Sequence, residues 1–244
     1  QLYIYYNHFK MYTTKYKNLQ KVINKKKKFD KKDLSNLINE IVSEKTNNDE
    51  EKTPNIDNFL NKSEVKVEQN HIYFYTDVNS NSIYELISAI KSLEYDLQFM
   101  KFDLNHVYNF NIEPVIYLHI NSGGGYLYDG FLGADYILQS KIKIISIIDG
   151  YCASSATLLS MCCQERWMNK NSSILIHQLS GGCWGKFNEM EDNYKNSKKA
   201  QKKLLKFYQK YTSLNKDEIN GWLKKDVEFS CKKCLSMGFI DKII

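Results

Sequence analysis

Asn121-Ser122-Gly123-Gly124-Gly125, Gly150-Tyr151-Cys152-Ala153-Ser154-Ser155-Ala156 and Ile176-His177-Gln178 are the three stretches of this chain whose residue types can do chemistry together. A glycine-rich turn after a strand can aim backbone N–H groups at an oxyanion. A serine among small residues can be exposed at a helix start, and a histidine can act as its base. Serine is a weak nucleophile until a hydrogen-bonded imidazole takes its proton, and the imidazole in turn needs a carboxylate to hold its tautomer. Together the three stretches read as a serine hydrolase. Ser154 and Ser155 both stand at the helix start, so residue types alone leave the choice of nucleophile open.

The elements that must position these residues alternate along the chain. Ile72–Thr76 reads as a strand and Ile83–Leu93 as a helix, followed by an insertion through about Asn111. Val115–Ile120 reads as a buried strand leading into the glycine turn. Leu127, Phe131, Ala134, Ile137 and Leu138 then fall on one helical face, and Ile142–Ile148 forms the next apolar strand. Ser154–Cys163 is expected to be a helix, and Ile174–His177 a short strand after a turn at Asn169–Ser172. Gly181-Gly182 marks a bend before a long charged helix, Lys186–Tyr211, with a stripe at Leu204, Leu205, Tyr208 and Tyr211. So much exposed helix implies a projection. A helix at Lys216–Leu223, a turn at Lys224–Asp226 and a helix from Ser230 closed by Gly238 complete the pattern. The fold class is α/β.

The 244 residues, 43% of them apolar, can bury a sizeable core, with one domain plus an appendage the simplest division. The appendage is residues 1–60, a basic arm with one short amphipathic helix at Leu34, Leu37, Ile38, Ile41 and Val42; the catalytic domain is residues 61–244. The arm holds 12 Lys against 8 Asp and Glu, which is +4 of the net +6, and leaves the remainder near neutral. The core therefore carries no nucleic-acid footprint, and the lysine run Lys25–Lys28, which lacks interleaved aromatics, reads as a solvated tail segment and not as a site for an acidic partner.

Six cysteines are too few for a secreted disulfide scaffold, and several sit in apolar surroundings typical of buried thiols. Cys231-x-x-Cys234 has no second pair to complete a zinc site and is read as structural. With no apolar run approaching the ~18 residues of a transmembrane helix, the expectation is a soluble protein of a reducing compartment, the cytoplasm or an organelle interior. No membrane, metal or organic cofactor is expected.

These residues resemble the ClpP family, the proteolytic subunits of the ATP-dependent Clp protease, with its viral and phage relatives. The family's Ile-Asn-Ser-Pro-Gly-Gly is matched by Ile120–Gly125, its Gly-x-Ala-Ala-Ser-Met-Gly by Gly150–Ala156, its Ile-His-Gln by Ile176–Gln178, and its closing Tyr-Gly-hydrophobic-Asp-x-Ile by Met237–Ile243. The resemblance implies a crotonase-like spiral core with the helix Lys186–Tyr211 as the family's handle. It makes Ser154 the nucleophile, His177 the general base and Asp226 the orienting carboxylate, and it assigns the oxyanion donors to the backbone N–H groups of Gly125 and Ser155. It further implies fourteen subunits in two stacked heptameric rings, cleaving unfolded polypeptides fed by an AAA+ unfoldase. A catalytically silent structural subunit of a mixed ring is the alternative.

The chain departs from the family pattern where Gly123 replaces proline in the turn, Ala156 replaces glycine, and Leu179 replaces the proline after His-Gln. A third glycine loosens the turn. Asp149, just before Gly150, is a rival carboxylate, and His119, inside a strand and facing opposite to Ile120, is read as structural.

Overall fold

The computed structural model describes residues 64–108 and 113–244. The basic arm at residues 1–60 and its amphipathic helix lie outside the described residues.

Among the described residues, eight strands form one sheet in the order β1-β2-β3-β4-β5-β8, with β6 branching from β4 and β7 pairing with β6. In chain order the elements are β1 Val65–Glu68, β2 His71–Phe74, α1 Ser80–Tyr108, β3 Val115–Ser122, α2 Leu127–Gln139, β4 Lys143–Ala153 and α3 Ala156–Met161. They continue with β5 Glu165–Met168, β6 Ser173–Leu175, α4 Phe187–Tyr211, α5 Lys216–Leu223, β7 Glu228–Ser230, α6 Cys231–Ser236 and β8 Lys242–Ile243. The parallel centre, β2-β3-β4-β5, is made by strand-helix-strand crossovers. This is the α/β core read from the sequence.

Several boundaries differ from the sequence reading, among them the strand read as Ile174–His177, which is Ser173–Leu175 and leaves His177 beyond its end; three have a clear physical reason. The helix that begins the core does not stop near Leu93 but runs to Tyr108, because no glycine or proline interrupts it and Leu93 and Leu97 continue its buried stripe. The helix expected at Ser154–Cys163 shortens to α3, because Ser154 has φ +53°, a left-handed backbone that cannot begin a right-handed helix. The strand expected to end at Ile148 continues to Ala153, since β4 changes partner on one side: Ile145–Ile148 pair with β5, and Tyr151–Ala153 with β6. That fork carries β4 and β6 together to the place where the three motif stretches converge.

The core lies between the sheet and the helices. Ile72, Phe74, Ile116, Leu118, Ile120, Ile144 and Ile148 are fully buried from the strands, and Ile83, Leu86, Ile137, Leu158 and Leu159 from the helices. Five of the six cysteines belong to it; Cys183 is exposed. Burial raises the thiol of Cys162 to about 11 and that of Cys234 to about 12, so both stay protonated and inert at neutral pH. Cys231 and Cys234 hold backbone carbonyls, of Lys170 at 3.3 Å and Phe229 at 3.5 Å, in keeping with the structural reading. The N-terminal turns of α4 are exposed, and only from Ala200 onward does its stripe of Leu204, Leu205 and Tyr208 enter the core.

Among the described residues no helix is long and apolar enough to cross a membrane.

Candidate active site

The site is assembled at the ends of β3, β4 and β6. Ser154 follows the last residue of β4, and its N–H donates to Leu175 C=O at 2.9 Å, which fixes it against β6. Its φ of +53° is a conformation that costs a non-glycine residue about 1–2 kcal/mol. The surroundings hold it there. Thr157 donates both its N–H, at 3.1 Å, and its hydroxyl, at 2.6 Å, to the Ser154 carbonyl. Having spent its one proton on Ser154, the Thr157 hydroxyl accepts from Tyr208 Oη at 2.8 Å, from α4. Sequence reasoning missed this support for Ser154; Tyr208 was legible only as one member of a buried stripe.

His177 stands just beyond β6. Its neighbours are tied on two sides: Gln178 N–H donates to Leu223 C=O at 2.6 Å, at the end of α5, and Leu179 N–H to Gln201 Oε1 at 2.8 Å, on α4. The imidazole Nε2 lies 2.8 Å from Ser154 Oγ. Its other nitrogen, Nδ1, is 3.9 Å from Asp226 Oδ1, and the Asp226 side chain is 84% exposed. The first pair is in hydrogen-bond contact and the second is not. Ser155, the rival serine, is buried against α2: a Cβ built on Gly130 would come within 3.0 Å of Ser155 Cβ. The Ser155 Oγ has no hydrogen-bond partner among the described residues.

The glycine turn closes over the same spot. Val78 N–H donates to Gly124 C=O and Tyr126 N–H to Val78 C=O, both at 2.8 Å, a parallel bridge that turns the Gly125 N–H away from Val78. Side chains are excluded from the turn. A Cβ on Gly124, at φ +93°, would lie 2.6 Å from Ala153 O and 2.7 Å from Ser154 Cβ, and one on Gly125 would lie 2.1 Å from Val78 O. No described hydrogen bond takes the N–H of Gly125 or of Ser155. A cavity of about 300 Å³ opens here, lined by Gly125, Ser154, Ser155 and His177 together with residues of α4. An alcohol bonded to an imidazole, beside two unspent amides at an open cavity, can add to a carbonyl and stabilise the resulting oxyanion.

Asp149, the rival carboxylate, is engaged elsewhere. It accepts from His119 Nδ1 at 2.7 Å, from Asn169 Nδ2 at 2.9 Å and from the Tyr75 hydroxyl, and no described hydrogen bond joins it to His177. His119 is bonded in turn to His71, at 2.8 Å.

The model of the Clp protease family matches residues 64–244. The chain belongs to the Clp protease family. It is 29% identical over 136 residues to the ATP-dependent Clp protease proteolytic subunit 1 of Protochlamydia amoebophila (strain UWE25). That match covers 54% of this chain and 66% of the relative, just under two thirds of its length. Within the Clp protease pattern, the departure at Leu179 has a physical counterpart: a proline there would lack the N–H that Gln201 binds. Gly123 has open space where a side chain would go, its nearest neighbour being Asp77 Oδ1 at 3.9 Å. Ala156 places its methyl in the core, fully buried.

Proposed function

We propose that this chain is a serine endopeptidase of the Clp type, with residues 61–244 as its protease domain and residues 1–60 as an appended arm. The observation that carries the proposal is the 2.8 Å contact between His177 Nε2 and Ser154 Oγ. Ser154 Oγ attacks the peptide carbonyl carbon as its proton passes to His177 Nε2. The Gly125 and Ser155 amides bind the oxyanion. His177 then gives the proton to the departing amine, and an acyl-enzyme ester remains on Ser154. Water, deprotonated by His177, hydrolyses that ester and frees the serine. Asp226, 3.9 Å from Nδ1, lends its negative charge to the imidazolium. Membership of the family supports an assembly in rings, likewise proposed as two heptamers that receive unfolded polypeptide from an AAA+ unfoldase.

A second reading, a catalytically silent subunit of a mixed ring, draws on one observation: Asp226 stands outside hydrogen-bond reach of His177 and in solvent. A serine-reactive fluorophosphonate probe separates the two. Labelling of the wild type, absent in Ser154→Ala, supports the peptidase; an unlabelled wild type, alone and assembled, supports the silent subunit.

A further inference from the structure

The cavity beside Ser154 carries a substrate preference, on the reading above that Ser154 cleaves peptide bonds. One wall is a single face of α4: Asn193, Asn196, Ser197, Ala200 and Leu204 line it, at the i, i+3, i+4, i+7, i+11 spacing of one helical stripe. The helix that bears this stripe has nine Lys, Glu and Asp residues between Glu189 and Lys206. Among the described residues none of them lines the cavity, and neither does any other Lys, Arg, Asp or Glu.

A merely solvated face has no reason to shed its charges, and a face packed into the core would be apolar throughout. This stripe is neither. It is apolar at the buried residues Ala200 and Leu204, and carries amides and a hydroxyl at the exposed residues Asn193, Asn196 and Ser197.

We infer that this cavity receives the side chain of the residue whose carbonyl is cleaved, and that it selects a neutral, hydrogen-bonding side chain with an aliphatic stem, glutamine foremost. A carboxylate or ammonium group would lose water here and meet no opposite charge. An aliphatic side chain would satisfy Ala200 and Leu204 but displace water from the wall amides and the Ser197 hydroxyl without replacing its hydrogen bonds. Sites built to hydrogen-bond a group discriminate against analogues that lack it.

The test uses the full chain and four fluorogenic peptides that differ only in the residue before the scissile bond: Gln, Leu, Lys or Glu. Fluorophosphonate labelling of Ser154 is followed in parallel. The expected kcat/KM for the Gln peptide exceeds that for Leu by about fivefold and those for Lys and Glu by about a hundredfold. Asn196→Leu combined with Ser197→Ala, both at exposed positions, brings the Gln-to-Leu ratio below one; a ratio unchanged by the pair overturns the inference. Normal labelling with a Leu or Lys peptide cleaved as fast as the Gln peptide overturns the inference and leaves the peptidase reading intact. Failure of the wild type to label overturns the peptidase reading itself, and the substrate preference with it.

Discussion

His177 Nδ1 stands 3.9 Å from Asp226 Oδ1, while the opposite nitrogen of the same ring lies 2.8 Å from Ser154 Oγ. The imidazole is therefore oriented mainly by its backbone, through Gln178 and Leu179, and not by the carboxylate. An exposed ion pair at that distance contributes well under ~1 kcal/mol. Asp226→Ala is expected to lower kcat/KM for a short peptide by about tenfold or less, whereas Ser154→Ala and His177→Ala each remove on the order of 10⁴-fold or more. An Asp226→Ala loss as deep as that of His177→Ala in steady-state hydrolysis would mean that the carboxylate closes onto the ring in the working enzyme.

Tyr208 supports the nucleophile from a distance, through Thr157. Its hydroxyl donates to Thr157 Oγ1, which donates to the Ser154 carbonyl, and the three atoms are buried or nearly so. Tyr208→Phe keeps the ring and removes the only donor to Thr157 that the described residues supply. Unfolding free energy is expected to fall by about 1–2 kcal/mol, with Thr157→Val adding less than its own cost in the double variant because the two share one chain of bonds. Urea denaturation at constant m-value measures both. Full additivity would break the proposed link.

Gly123 and Gly124 are adjacent and should respond in opposite ways. A methyl at Gly124 would meet Ala153 O at 2.6 Å and Ser154 Cβ at 2.7 Å, displacing the nucleophile, and an error of about 1 Å in a reacting group can cost about a hundredfold in rate. A methyl at Gly123 meets nothing nearer than 3.9 Å and reduces the freedom of the unfolded chain, a gain of about 0.4–1 kcal/mol. Gly124→Ala is expected to lose at least about a hundredfold in peptide hydrolysis, and Gly123→Ala to unfold at a higher temperature with activity unchanged. Equal loss in both variants would show that turn flexibility, not the close approach at Gly124, sets the rate.

The sequence was most legible where local signals were strong. The glycine turn, the Val115 strand and the α5 boundaries follow from periodicity and turn chemistry, and α5 spans Lys216–Leu223 as read. The strand β5 was not legible, because Glu165–Met168 alternates with no clear apolar face: its residues take their character from β4 and β8 on either side. The extent of β4 was hidden for a similar reason. Gly150 and Tyr151 look like a loop until β6 supplies a second partner. The motif stretches gave the candidate site its residue types, but the bonds that hold them, from Gln201, Leu223, Thr157 and Tyr208, join residues far apart in the chain and leave no local pattern.

The second histidine cluster makes a prediction about acidity. Asp149 accepts from His119, Tyr75 and Asn169; burial alone would raise its carboxyl, but the bonds from His119 and Tyr75 outweigh it and hold the group below its ordinary range. An ionised carboxylate only accepts, so His119 Nδ1 carries a proton, and the other nitrogen of that ring, Nε2, stands 2.8 Å from His71 Nδ1. His71 is pushed below the ordinary imidazole value of 6.5, first by burial and then by the neighbouring His119, against the weaker pull of Glu68 and Asp149. The unfolded chain therefore takes up a proton at this residue before the folded one does. Stability is undiminished by this group above pH 6.5 and is lost as pH falls below it. Asp149, displaced in the same direction, adds a second loss only below its ordinary value of 3.8. Thermal unfolding between pH 8 and about pH 5 is expected to show a declining midpoint in the wild type and a flatter profile in His71→Asn, with the acid limb below that window retained. An identical slope in both proteins would place the proton uptake elsewhere and remove His71 from the account.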